Sequence, residues 1–468
     1  MVLAVEHPTI EERAARGKAA RARVPRASLA RWSPSMRTHQ PLDLLAEQAQ
    51  TRVPELVPIR HGRMANTPFS YYRGAALPMA ADLASTVHTD LRVQLCGDAH
   101  LANFGGFASP ERDMVFDLND FDETLPGPFE WDVKRLAASL EVAARSRGFD
   151  PPTTTGIVVA GVRSYRESMR SFAAMTNLDA WYTRLDVASA MQRWGATASR
   201  KDVKRVERNL ARAVAKDQLK ARSKLTRLVD GDLRFVSDPP LLVPIHELFG
   251  DVEASAIQET VHEAIRAYRR TLPGDRRHLL ESYRYVDVAR KVVGVGSVGT
   301  RAYVALFVGR DLNDTLILQV KEAEASVLER FATKSVFNNH GQRVAEGQRL
   351  MQAVTDVFLG WQRVKLGYDG RSHDYYVRQL WDWKFSADID TMEPQLLSSY
   401  AEICGWTLAR AHARSGDPVA IASYLGASST FDDAVAAFAQ LYADQNELDH
   451  QALVDAIASG AVEARGGV

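Results

Sequence analysis

The sequence predicts an α+β fold from three observations. Helical text dominates up to about residue 270, glycine-punctuated strands follow from about 285 to 385, and roughly the last 80 residues are helical again. Strands and helices are therefore segregated rather than alternating, which argues against a βαβ sheet. The 468 residues suggest about three units at roughly 150 residues each. That is enough chain to bury a core without a metal or disulfide staple.

Residues 1–60 are charged and broken by prolines, with a helical stretch over 11–23, and read as a wrapping arm. Strand text opens at Leu91 (LRVQLCGDAH) and returns at Met114 (MVFDLNDFDE). A helix is expected from 130 to about 147, with Val133, Leu136, Leu140 and Val142 on one face. Helical patterns continue from 153 to about 270. Within them, residues 193–227 carry twelve Lys/Arg against three Asp/Glu, read as a solvated face or, alternatively, a patch for an acidic or phosphorylated partner. VARKVVGVGSVG, TRAYVALFVG and DTLILQVKEA then read as strands joined by glycines and an Asn-Asp turn. A helix near 341–354, the strand HDYYVRQLWD and two amphipathic blocks, YAEICGWTLARAHARSGD and FDDAVAAFAQLYADQ, complete the chain. The expected segments are an arm (1–60), a helical lobe (61–280), a small β-rich lobe (281–385) and C-terminal helices that complete the helical lobe (386–468).

Composition narrows the classes. Apolar residues make 46% and charged residues 25% of the chain, as in ordinary globular proteins. Lys+Arg and Asp+Glu are both 58, so no whole-chain attraction to nucleic acid is expected. Cys96 and Cys404 are too few for a disulfide framework. No apolar run reaches membrane-spanning length, and a reducing cytoplasm is the expected compartment.

The densest chemical cluster is Cys96-Gly97-Asp98-Ala99-His100-Leu101-Ala102-Asn103, followed by Asp117, Asn119, Asp120, Asp122 and Glu123. Acidic, turn-forming residues at strand ends set carboxylates where a hard cation such as Mg2+ finds oxygen ligands. Gly294-Val295-Gly296-Ser297-Val298-Gly299 lies between strands, not before a helix, so it does not fit the dinucleotide-binding pattern. Strand, glycine loop, strand, then a strand ending in Lys321 resembles the phosphate-covering hairpin of protein kinases.

With that hairpin in view, Gly97-Asp98-x-His100-x-x-Asn103 resembles the catalytic loop of aminoglycoside and choline phosphotransferases. Asp98 and Asn103 are five apart, Asp120 matches the metal-binding aspartate of the next strand, and Asp132 follows twelve residues later at the head of a helix. The glycine loop and lysine come roughly 200 residues after the catalytic loop instead of before it, as a circular permutation would produce. Leu408-Ala409-Arg410-Ala411-His412 resembles the helix that directly precedes the catalytic loop in those enzymes. Taken whole, through residues 63–64, 70–75, 97–105, 116–135, 291–300, 318–322, 347–351 and 376–384, the chain resembles the bacterial family catalogued as domain of unknown function 2252.

The resemblance implies a two-lobed, permuted protein-kinase-like fold and transfer of phosphate from ATP with Mg2+ to a hydroxyl acceptor. Asp98 would orient the acceptor hydroxyl, and Asn103 and Asp120 would hold Mg2+. Asp122 would be a second metal ligand or a helix-capping acid. Gly294, Gly296, Ser297 and Gly299 would cover the phosphates, Lys321 would neutralise them, and main chain near Gln379 and Trp381 would meet adenine. Glu346 would be the helical partner of Lys321, with Glu329 as rival. Asp117 reads as structural, Cys96 as a buried cysteine, and His100 as a loop brace or catalytic group. Arg63, Tyr72 and Arg73 line the acceptor or are packed. Three other readings use the same residues: nucleotidyl transfer to a protein, a regulatory module without turnover, and a metal-dependent hydrolase built on Asp98, His100, Asp117 and Asp120.

Overall fold

The computed structural model describes residues 7–467 except 195–203, 205–207, 209–210, 212–217, 249–250, 293, 368 and 381–382. Its first strands are short because each runs into an acidic turn. β1 (Arg92–Leu95) leads to Asp98, β2 (Phe104–Ala108) and β3 (Met114–Leu118) form a hairpin ending beside Asp120, and β4 (Leu125–Pro128) returns antiparallel to β1.

The helix Phe129–Ser146 is buried along nearly its whole length, from Phe129 to Ala144. The sequence suggests a single apolar face. Instead its polar side chains are buried with partners, as charge out of water requires. Glu130 meets the Thr89 hydroxyl, Lys134 meets the Thr86 hydroxyl at 3.2 Å, and Arg135 meets Asp98. Around it pack Pro151–Ala173, Pro394–Ser415 and Thr430–Ala458.

The second sheet is built from residues the sequence assigns partly to helices. β5 (Thr226–Val229) and β6 (Asp232–Phe235) form a hairpin, and β7 (Leu242–Pro244) is an edge strand. With β8 (Arg284–Lys291), β9 (Ala302–Val308), β10 (Thr315–Ala323), β11 (Gly360–Val364) and β12 (His373–Gln379), β7 makes a six-stranded antiparallel sheet ordered β11-β12-β10-β9-β8-β7. β9 reads AYVALFV without polar alternation because both of its faces are covered. Val304, Leu306 and Val308 meet Leu225, Leu233 and Phe235 on one side. Ala305 and Phe307 meet Tyr268, Leu272 and Leu280 on the other. Residues from 218 onward thus pack with this sheet, and a boundary at 281 is too late. A short β13 (Phe385–Ser386) then crosses to the β2–β3 hairpin, pairing Phe385 with Gly106.

The arm begins with a helix, Ile10–Arg23, opened by a Thr9/Glu12 capping box. It docks on the helix Pro418–Leu425, where Arg21 donates to the Tyr424 carbonyl at 2.8 Å. The arm ends at the glycine loop, where the Val53 N–H donates to the Gly299 carbonyl at 2.7 Å. Among the described residues no helix is long and apolar enough to cross a membrane.

Candidate functional site

Asp98 sits in the turn after β1. Gly97 adopts φ 83°, and a Cβ there would collide with the Glu123 carbonyl, so the turn requires glycine. Asp132, in the first turn of the central helix, fixes this loop by accepting from the N–H groups of Cys96 (2.7 Å) and Gly97 (3.1 Å). His412 Nε2 lies 3.3 Å from Asp132, and the Tyr165 hydroxyl lies 2.8 Å from His412 Nδ1. Gln94 N–H donates to the Ser415 hydroxyl, so the helix carrying His412 ends against the strand that leads to Cys96. One helical turn beyond Asp132, Arg135 clamps Asp98 Oδ1 through Nε (2.8 Å) and Nη2 (2.6 Å). Asp98 Oδ2 lies outside that clamp, 3.7 Å from His100 Nε2.

Asn103 corrects an expectation. Its side chain is sealed from solvent, with the residue 3% exposed. The amide group donates to the carbonyls of Asp98 (3.0 Å) and Asp120 (2.9 Å). Its oxygen accepts from the N–H groups of Asp120 (2.6 Å) and Asn119 (3.3 Å). Both oxygen lone pairs are engaged, so Asn103 ties the two acidic turns together and has no ligand position left for a metal.

Asp122 is likewise occupied. Oδ2 takes the Lys321 ammonium at 2.6 Å and lies 3.4 Å from the Ser297 hydroxyl, while Oδ1 accepts from Tyr376 at 2.7 Å. Tyr376 is the cross-strand neighbour of Lys321. Asp122 is thus the lysine's counter-ion. Asp120 is open, with a 41% exposed side chain 3.6 Å from Lys321. Burial and the negative charge of Asp120 push the Asp122 carboxyl up. Burial also opposes ionisation of Asp120, but Lys321, Arg378 and Lys384 outweigh it and hold that carboxyl low. Burial alone would lower Lys321, and the two aspartates reverse this.

Glu346 does not meet Lys321. It is 34% exposed and pairs with Arg349 one turn on, at 2.9 Å. The helix His340–Met351 turns Arg343 and Gly347 inward instead. Arg343 donates to the carbonyls of Thr124 (2.7 Å), Asp122 (2.8 Å) and Glu324 (2.8 Å), and Gly347 packs on Thr124. Glu346 lies one residue away from that face, about 100° around the helix from Gly347. Glu329 is no substitute, since among the described residues it reaches the His340 ring at 4.0 Å and no lysine within that distance.

The glycine loop spans β8 to β9. Gly294 and Gly299 have φ of 73° and 93°, and Gly296 lies against the Arg73 carbonyl. Arg63 donates to the Gly294 carbonyl at 2.5 Å. Tyr72 is buried and donates to the Arg135 carbonyl at 2.7 Å, so it supports the Asp98 clamp and does not line an acceptor pocket. The Gln379 N–H is spent on Asp356 Oδ2 at 2.5 Å, and so is unavailable to a base. Trp381 lies outside the described residues, as does much of the basic stretch 193–227.

Asp117 is structural. It is buried, bonded to Arg410, and accepts from Ala353 N–H at 3.0 Å. Cys96 is fully buried and its thiol is pushed up, chiefly by burial. Burial brings His100 down to about 4. Among the described residues no group of three or more His, Cys, Asp or Glu is arranged to hold a metal. Asp120, with its 41% exposed side chain, is the carboxylate of these turns left open to a hard cation.

Sequence reasoning overlooks Arg135, Tyr376 and Arg378. Each had a signal: Arg135 is one turn from Asp132, and Tyr376 and Arg378 share the strand face opposite Lys321 at period two.

No curated protein and no solved structure matches the chain. A family model does, over residues 52–456, and its span takes in the Asp98 turn, the Asp120–Asp122 turn, the glycine loop, Lys321 and the His412 helix. The chain thus belongs to the family described as an uncharacterized protein conserved in bacteria, DUF2252.

Proposed function

We propose that the chain is an ATP- and Mg-dependent phosphotransferase with a circularly permuted protein-kinase-like fold, acting on a hydroxyl of a small molecule. The observation that carries the reading is the convergence of distant segments: Lys321, from the six-stranded sheet, and Ser297, from the loop joining β8 to β9, both reach Asp122 beside Asp98 and Asp120. The packing of the His412 helix against the strand leading into Cys96 supports the permuted order.

In this reading Asp98 orients the acceptor hydroxyl. Arg135 fixes one carboxylate oxygen and leaves the other to accept the hydroxyl proton's hydrogen bond. A loose phosphoryl-transfer transition state asks for this positioning more than for a strong base. Lys321 leaves Asp122 in part to meet the phosphates, and the glycine loop's N–H groups close over them. Mg2+, when bound at Asp120, supplies charge neutralisation across the phosphates. The hydrolase reading loses support because Asp117 is consumed by Arg410.

The test is a metabolite-library screen for ATP consumption, with Asp98→Ala as control and parallel reactions with γ- and α-labelled ATP. Transfer of γ-label to a small molecule, lost in Asp98→Ala, is expected. α-Label on protein would move the reading to nucleotidyl transfer, and ATP-independent hydrolysis would return it to a hydrolase.

A further inference from the structure

Lys321 is the only one of four cations around Asp120 with a carboxylate within bonding distance among the described residues. Arg378, on the same sheet, donates to the Asn119 carbonyl at 2.7 Å and the Gln319 side chain at 3.2 Å, both neutral. Its guanidinium lies 5.8 Å from the Tyr376 ring centroid, and Lys321 lies 5.4 Å from the same ring. Lys384 is exposed just before β13, which pins it beside the β2–β3 hairpin, and its charge acts on Asp120, Arg378 and Lys321. Arg73 ends the helix Pro68–Gly74 under the glycine loop, its backbone against Gly296. Its Nε is buried with no hydrogen-bond partner, and its charge acts on Asp98, Asp390 and Asp120. No carboxylate oxygen lies within 4.0 Å of Arg73, Arg378 or Lys384 among the described residues.

Charge in a half-buried setting is costly without a partner. Arg73, Arg378 and Lys384 add positive charge beside Asp120 and Asp122, whose carboxylates already face Lys321 at 3.6 Å and 2.6 Å. A magnesium-bound triphosphate carries about two negative charges in compensation. Asp98 drops out of this balance because Arg135 neutralises it.

We infer that Arg73, Arg378 and Lys384 form a cradle for a triphosphate chain, with Arg73 at the transferred end between the glycine loop and Asp98. The cradle rests on the phosphotransferase reading and adds three ligands to it. It recognises the phosphates, so a nucleoside triphosphate and inorganic tripolyphosphate share the chemistry it reads.

Calorimetric titration of the full chain with tripolyphosphate, ATP and AMP, in Mg2+ at fixed ionic strength, tests it. The wild type should bind tripolyphosphate and ATP, and AMP far more weakly. Arg73→Gln, Arg378→Gln and Lys384→Gln should each weaken tripolyphosphate by about tenfold or more, the worth of a charge-assisted hydrogen bond. Arg73→Lys should recover part of the loss, and Arg170→Gln, on an exposed helical surface, should match wild type. Lys384→Gln alters an exposed side chain, so it remains decisive if an arginine variant fails to fold. Failure of tripolyphosphate to bind wild type, or wild-type affinity in Lys384→Gln, overturns the cradle. ATP binding and transfer unaffected by all three substitutions would keep the phosphotransferase and discard the cradle. Cradle-dependent tripolyphosphate binding without any ATP binding would keep the cradle and discard the nucleotide.

Discussion

Lys321 bonds Asp122 at 2.6 Å, and that carboxylate comes from the same turn that carries Asp120. The lysine and the proposed metal anchor are thereby coupled two residues apart, with no helix between them. In the proposed function a nucleotide entering the site would compete with Asp122 for Lys321.

Breaking this pair from one side should be expensive. Lys321→Met leaves Asp122 with only hydroxyl partners, and unfolding in urea should show a loss of roughly 3–5 kcal/mol, typical of a buried pair stripped of one member. Lys321→Met with Asp122→Asn should cost less than the sum of the single changes. Simple additivity would mean the two groups are not coupled.

Glu346→Gln should be nearly silent. Among the described residues its ion pair is a half-exposed one with Arg349, worth at most about 0.5 kcal/mol. Arg343→Met should unfold at clearly lower denaturant, because three buried carbonyls lose their donor. If activity fell with Glu346→Gln as far as with Lys321→Met, the assignment of Asp122 as counter-ion would be wrong.

Asp120 and Asn103 should separate function from stability. Asp120→Asn removes an exposed carboxylate that nearby cations hold ionised, so thermal stability should fall only modestly while Mg-dependent ATP binding falls by an order of magnitude or more. Asn103→Ala removes four contacts between the two turns and should cost roughly 2–4 kcal/mol of stability. Equal stability losses in the two variants would contradict the division of roles.

Glu123 provides a pH test. Burial raises its carboxyl to about 7 from its ordinary value near 4.5. The folded state therefore binds the proton more tightly than the unfolded state. Its contribution to stability is fully present below about pH 4.5 and lost as pH rises through about 7. Glu123→Gln should flatten melting temperature against pH across that window, with its advantage over wild type largest near pH 8. Parallel curves would rule out Glu123 as the titrating group.

How much of this the sequence carried depends on range. The Asp98, Asp120 and Asp132 spacing, the glycine loop and Lys321 are local patterns, and their residues do converge. That Glu346 turns away from Lys321 is not legible, because helical periodicity defines an apolar face but not its rotation against a neighbour, and Gly347's contact with Thr124 sets that rotation. Asn103 is similar: residue type advertises an oxygen, but only the fold reveals that Asn119 and Asp120 already use it. The hairpin β5–β6 leaves no mark in the sequence because four-residue strands are too short for a period-two signal.

The bonds of Asp117 to Arg410 and of Asp132 to His412 span 293 and 280 residues. During synthesis at about 5–20 residues per second, the two acids would wait roughly 15–60 s for these partners. Until then Asp117 lacks Arg410 and Asp132 lacks His412. Such late closure is slow in general, because long loops must be ordered before their contacts repay the cost. The Asp98 turn is therefore made early and held first by its short-range contacts to Asp132 and Arg135, while the two long-range bonds behind it close only once residues 410 and 412 exist.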